Sequence, residues 1–172
     1  ERVPWIHATE GTINGTVEYA ISPSTTFICY NNFYCDWYYT GDETTDDTRW
    51  TTSESAKSVY DPCPPGWRVP DGGDDGVWTK ALGTGKSASC SYNSGVDLSG
   101  HFGSYSCIWY PAINCLGAFN GTMSGGIYGG NYWSATPKGS KASGMFFNAF
   151  GTVNTDMTSD RAGALAVRCI QE

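Results

Sequence analysis

The sequence predicts one domain built from short strands and tight turns, with little helix. Three observations predict it. The chain of 172 residues carries 22 Gly, 7 Trp and 11 Tyr, with 15% aromatic residues overall, a usage that suits pleated strands and glycine-tipped turns better than helices. Towards the C-terminus large apolar side chains recur at strand spacing: Tyr132, Trp133, Met145, Phe147, Val153, Leu165 and Val167. The length supplies a sizeable core for one domain but would cramp two, so residues 1–172 are read as a single unit.

Charge and composition exclude several functions. A formal charge of -7 and a pI near 4.6 argue against nucleic acid, whose phosphates must be met by lysines and arginines, and against anionic membrane surfaces. No apolar run approaches the roughly 20 residues that cross a bilayer. Glu1 to Glu10 has neither the charged start nor the apolar middle of a signal peptide, so the chain reads as a mature, soluble domain without direct membrane insertion. Seven cysteines are many for a cytosolic protein, yet there is no CxxC pair, and His7 and His101 lie far apart. The usual zinc spacing is therefore absent, and disulfides formed in an oxidising compartment are the better reading, with at least one cysteine left over from the odd count. No G-x-S-x-G, H-E-x-x-H or phosphate loop is present; the expectation is no catalytic residue, no metal and no cofactor.

Taken in order, Gly15 to Ile21 and Thr25 to Tyr30 are β-branched and aromatic runs bounded by Asn14-Gly15 and Ser22-Pro23-Ser24, and read as strands with turns. Asn14-Gly15-Thr16 and Asn120-Gly121-Thr122 match a glycosylation sequon, but the Asn-Gly turn is the stronger reading. Between Trp37 and Trp50 the acidic, Thr-rich stretch Gly41 to Thr48 reads as a surface loop, and its carboxylates match no calcium-loop spacing. In Lys57 to Pro70 three prolines crowd Cys63 and fix an irregular crossing that neither a helix nor a central strand tolerates, after which Trp67 and Val69 are expected to alternate inward. An acidic turn, Asp71 to Gly76, precedes Val77 to Leu82. Gly83 to Ser106 is weakly patterned, with Cys90 inside it and Cys107 just after it. Tyr132 and Trp133 are expected on opposite faces of a strand.

Four segments carry a resemblance: DPCPPGWRVP at Asp61 to Pro70, YPA at Tyr110 to Ala112, NYWSATP at Asn131 to Pro137 and AVRC at Ala166 to Cys169. Together and in this order they resemble the signatures of the Fibrobacter succinogenes major paralogous domain, a bacterial extracellular family common in surface and fimbrial proteins of Bacteroides and its relatives. The match spans most of residues 56–170; residues 1–55 are read as N-terminal strands and loop of the same domain, and Ser24 to Ile28 and Asp36 to Tyr38 resemble its fimbrial-tip members. Ala164 and Cys115 depart from the pattern, standing at or near positions where that family has Gly.

The resemblance implies an α+β, C-type-lectin-like fold: a small twisted antiparallel sheet, one or two short helices, much irregular loop and the chain ends brought together. It implies a helix starting before Trp78 with Asp75 as its cap, and a disulfide between Cys63 and Cys169. The pairing of Cys29, Cys35, Cys90, Cys107 and Cys115 stays open, with Cys29–Cys35 and Cys90–Cys107 as trial pairings that leave Cys115 over. The function implied is an extracellular adhesin at the cell surface, at a pilus or fimbrial tip or otherwise anchored to the outer membrane. Its partners would be a host or bacterial surface protein or glycan, together with pilus subunits. The alternatives are a structural pilus-subunit module and a polysaccharide-binding accessory domain without a host ligand of its own. The loop and strand motifs of calcium-dependent sugar binding are missing around Trp133 and Pro137. Fixed anchors interleaved with arbitrary side chains and closed by Val167-Arg168-Cys169 also resemble the variable proteins of diversity-generating retroelements.

The candidate ligand surface follows from the same segment. Aligned with that family, Met145 and Phe147 turn inward, and the two-residue period turns Gly144 and Phe146 outward beside Lys141, Ser143 and Asn148. Lys138 precedes them; Phe150, Thr152, Asn154, Asp156, Met157 and Asp160 follow, with Tyr128 and Gly163 at the margins. The competing reading has Phe146 and Phe150 merely covering the sheet edge or packing under the Ser87 to Ser106 insertion.

Overall fold

A computed structural model of the chain describes residues 4–7, 16–21, 26–29, 36, 47–50, 57–82, 90–91, 95–98, 108–124 and 129–172. In chain order these form β1 (Trp5–His7), α1 (Val17–Ile21), β2 (Phe27–Cys29), β3 (Trp67–Arg68), α2 (Val77–Leu82), β4 (Cys90–Ser91), β5 (Gly95–Asp97) and β6 (Trp109–Pro111). They continue through β7 (Cys115–Leu116), β8 (Met123–Ser124), β9 (Gly129–Lys138), β10 (Lys141–Asn148), β11 (Val153–Asp160) and β12 (Ile170–Gln171). The architecture is therefore small, mostly antiparallel sheets and loops with few helices. Only β1 with β2 is parallel among these pairings.

The longest strands form a meander in the order β11-β10-β9. Gly139 (φ 58) closes the β9–β10 turn and Gly151 (φ 85) the β10–β11 turn, left-handed conformations that a Cβ disfavours. At the second turn the Asn148 carboxamide oxygen accepts the amides of Phe150 and Thr152, which fixes the hairpin register.

One face of this meander makes the main core. Tyr132, Met145, Phe147 and Val153 pack against Trp78 and Leu82 of α2 and against Val96, Leu98 and Tyr110. Three of its aromatics carry a polar group, and each is satisfied: Trp78 Nε1 donates to the Tyr110 hydroxyl (3.0 Å), and the Tyr132 hydroxyl donates to the Pro111 carbonyl (2.7 Å). Trp78, Met145 and Phe147 are 0, 0 and 1% exposed, so the inward assignment of Met145 and Phe147 holds.

A second cluster joins Cys63, Val69 and Ala135, with Trp50, Val167 and Cys169 packed against it. Cys63 and Cys169 form a disulfide with Cα atoms 5.8 Å apart, and β12 pairs with β3 so that Ile170 lies opposite Arg68. The last strand of the chain thus returns to the proline-rich crossing.

Four expectations are corrected. Residues Val17–Ile21 are helix, not strand: the Thr16 hydroxyl accepts the Tyr19 amide (3.3 Å) and the Thr16 carbonyl the Ala20 amide (3.1 Å), an N-cap that outweighs the β-propensity of Val17 and Ile21. Trp67 is 42% exposed while Val69 is fully buried, because the two-residue β3 faces only β12 and turns Val69, not Trp67, into the second cluster. The helix expected at Val77–Leu82 forms, but Asp75 does not cap it; the Asp75 side chain is fully exposed, and the Asp71 carbonyl accepts the Val77 amide (3.2 Å) instead. Cys29 is a buried thiol hydrogen-bonded to the Gly121 backbone, so it makes no bridge to Cys35. Cys35 and Cys107 lie outside the described residues. The Asn120-Gly121 turn forms as expected, with Gly121 at φ 59 and the Asn120 side chain accepting the Thr122 amide (3.0 Å).

Candidate functional site

Alternation along β9 sends Tyr132 into the main core and Trp133 to the opposite face. On that second face Trp133, Ala135 and Pro137 of β9 and Ala142 of β10 form the floor of a cavity of about 420 Å³. Trp50, Val59 and Tyr60 wall one side and Ala20 contributes from α1. Among the described residues the charged lining is two ion pairs, Asp36 with Arg49 (3.7 Å) and Asp47 with Arg161, and Ser134 also lines it.

The walls are fixed by hydrogen bonds. Trp50 Nε1 donates to the Tyr60 carbonyl (3.1 Å), which holds the indole against the 57–60 turn. The Ser58 hydroxyl donates to the Arg49 carbonyl and accepts the Tyr60 amide (2.9 Å), tying the 47–50 turn to the same segment. Arg161 clamps the β9–β10 turn from below, donating to the carbonyls of Lys141 (3.1 Å) and Gly139 (2.7 Å) while it pairs with Asp47. The sheet floor, the turn and the wall are thereby one connected unit.

The residues expected to face a ligand are placed differently. Ser143 is fully buried on the core side of β10, where its hydroxyl donates to Asp156 Oδ1 (2.6 Å). Gly144 is also buried, and a Cβ there would stand 2.5 Å from the Tyr132 carbonyl oxygen. Both are therefore covered where exposed positions are expected, Ser143 on the core side and Gly144 on the Trp133 face opposite Met145. The period-two rule does hold for Phe146, which is half-buried between Asn131 and Asn154 in the pairing register. A register shift in the β10–β11 pairing between Gly144 and Phe146 brings Asp156 to the core side, where it joins Ser143 and pairs with Lys138.

The remainder divides between the two ends of the sheet. Lys141 pairs with Asp160 (2.8 Å) beside the β9–β10 turn, whereas Asn148, Thr152 and the 85% exposed Phe150 sit at the β10–β11 turn. At about 3.3 Å per residue, Lys141 and Asn148 stand roughly 23 Å apart, so these residues do not form one patch. Asn154 is exposed between them, its carboxamide accepting the Asp156 amide (3.1 Å); Met157 and Gly163 are half-buried. Tyr128 lies outside the described residues.

Among the described residues, none of those expected to face a ligand lines the cavity. Its own charged and aromatic residues carry no site motif in the sequence, where Trp50 only bounds the acidic loop and Trp133 reads as a strand residue. The shifted titrations also lie elsewhere. Burial pushes the Tyr132 phenol up to about 12, with Arg168 opposing and Tyr110 adding to the shift; burial likewise raises Tyr110 and Cys29. Among the described residues the cavity has an apolar floor and wall and two pairs of opposite charges.

No family model matches the chain, and no curated protein or solved structure is significantly similar to it.

Proposed function

We propose that the chain is an extracellular ligand-binding domain of C-type-lectin-like fold, related to the Fibrobacter succinogenes major paralogous domain, and that it acts as a non-enzymatic adhesin at a pilus or fimbrial tip. The observation that carries the binding role is the cavity on the Trp133 face, whose volume of about 420 Å³ lies within the range of small-molecule sites, roughly 300 to 1,000 Å³. Its hydrogen-bonded walls favour recognition over passive packing, because a rigid site loses little entropy on binding. The Cys63–Cys169 disulfide suits an oxidising, cell-surface setting. Diversification of the Tyr128 to Gly163 segment by a retroelement belongs to this proposal as well; its genetic mark is a near-repeat of that coding segment differing at adenines.

Immobilised, folded domain screened against host surface proteins and glycans tests the proposal. A saturable partner is expected. A domain that binds nothing on such panels, yet co-assembles with pilus subunits, would be a structural module and would replace this reading.

A further inference from the structure

The two ends of the Cys63–Cys169 disulfide are held in different ways. On the Cys63 side the crossing keeps its shape without the bond: the Asp61 carboxylate accepts the amides of Cys63 (2.8 Å) and Val69 (3.1 Å), and the Lys57 ammonium donates to the carbonyls of Cys63 and Pro64. On the Cys169 side the chain is bonded to β9 as far as Ala166, whose amide donates to the Asn131 carbonyl (3.0 Å) and whose carbonyl accepts the Trp133 amide (2.8 Å). Beyond Ala166 the Arg168 guanidinium donates to the Trp109 carbonyl and lies over the Tyr110 ring, β12 pairs two residues with β3, and the Glu172 amide donates to the Gly66 carbonyl (3.1 Å). Val167 and Cys169 pack on the second cluster, which shares no described member with the main core. Access to the two sulfurs is unequal as well. Cys63 is 5% exposed and enclosed with Val69 and Ala135, whereas Cys169 is half-buried at the margin of that cluster. A thiolate attacks a disulfide sulfur in line with the S–S bond, so the more open sulfur is the one attacked.

We propose that Cys63–Cys169 is a redox-sensitive latch, opened from its Cys169 end by a low-molecular-weight thiol and releasing residues 167–172 as one unit. The thiolate attacks Cys169 Sγ; a new S–S bond forms there, the Cys63–Cys169 bond breaks, and its electron pair leaves on Cys63 Sγ, which takes up a proton. A second thiolate then attacks the small molecule's sulfur in the mixed disulfide, leaving the small molecule as its own disulfide and Cys169 as a thiol. Residues 167–172 come away from β3, because Lys57 and Asp61 still hold the crossing and β9 still holds the chain up to Ala166. Trp50, packed on the same cluster, loses its backing, so this wall of the cavity loosens with the latch. The latch does not depend on what the cavity binds.

The test exposes the folded domain to reduced glutathione, quenches with acid at early times, alkylates free thiols in denaturant and maps the peptides of Cys63 and Cys169. Glutathione is expected on Cys169 in about tenfold or greater excess over Cys63, at a rate that changes less than about twofold between 0 and about 1 M urea. Glutathione on Cys63 in equal or greater amount overturns the latch. So does a rate that rises about fivefold or more with that urea, as exchange through global unfolding requires. Hydrogen exchange after full reduction, below the lowered melting temperature, reads what is released. The amides of 167–172 should lose protection about tenfold or more while those of Met145 and Phe147 keep theirs. Protection lost throughout the sheet, or retained in 167–172, also overturns the inference. Cys169→Ser should give the same release without reductant; if that variant does not fold, the position of glutathione and the urea dependence in the wild-type domain still decide.

Discussion

The Lys57 ammonium stands 3.3 Å from the Asp61 carboxylate, and between them these two side chains organise the proline-rich crossing that carries Cys63. Lys57 also donates to the carbonyls of Cys63, Pro64 and Trp67. Asp61 accepts the amides of Cys63 (2.8 Å) and Val69 (3.1 Å). Prolines have no N–H to give, so a segment this rich in them cannot satisfy its carbonyls through a backbone ladder. One cation and one anion take over that role, and the Asp61 side chain is 1% exposed as a result.

Removing the anion should therefore be expensive. Asp61→Ala leaves two buried amides without an acceptor and takes away the carboxylate that faces Lys57. A loss of about 3 to 5 kcal/mol is expected in urea denaturation. A loss below about 1 kcal/mol would show that the crossing is held by other contacts.

Reduction of Cys63–Cys169 should also weaken the fold strongly. The bond spans 106 residues, and closing a loop of that length stabilises by about 4 to 5 kcal/mol on chain-entropy grounds. At about 2 to 4 °C per kcal/mol for a domain of this size, the melting temperature should fall by roughly 10 °C or more in reductant. A melt that reductant does not move contradicts this.

Alkali should act through Tyr132. Its phenol is raised to about 12 by burial, against about 10 in an unfolded chain, so the folded state holds this proton more tightly. The stability it contributes is complete below about pH 10 and is lost as pH rises towards 12. Spectrophotometric titration should show a phenol that ionises late, and Tyr132→Phe should flatten that part of the stability profile. A Tyr132 that titrates near 10 in the folded protein would refute the burial argument.

Substitutions along β10 and β11 should separate packing from surface. Asp156→Ala breaks the bonds to Ser143 and Lys138, and a cost of about 1 to 3 kcal/mol is expected. Met145→Ala, in the main core, should cost about 2 to 5 kcal/mol through the cavity it leaves. Phe150→Ala should stay within about 0.5 kcal/mol. Thermal melts of the three variants decide it: a Phe150→Ala as damaging as Met145→Ala would mean that the turn packs against something.

Along the sequence, local rules carried far. Apolar residues at strand spacing marked Tyr132, Met145, Phe147 and Val153 as anchors, and all four lie in the core; alignment with the resembled family supplied the inward face of Met145 and Phe147, which the two-residue period alone leaves open. Turn chemistry at Asn120-Gly121 was legible because it is decided within a few residues, whereas the helix at Val77–Leu82 was implied by the family resemblance. The pairing of Cys63 with Cys169 was legible only through resemblance, because spacing alone does not select a partner.

Tertiary structure decided the rest. Ser143 and Asp156 look like surface residues in a variable stretch, but a register shift between β10 and β11 turns Asp156 to the core side, where it meets Ser143. Trp67 reads as a core aromatic and lies outside, because a two-residue strand has no second layer to cover it. The cavity needs Asp36, Trp50 and Tyr60 from one part of the chain and Trp133 and Arg161 from another. No window of sequence contains both, since loop and sheet become neighbours only when the Cys63–Cys169 closure and the β12–β3 pairing fold the two halves together.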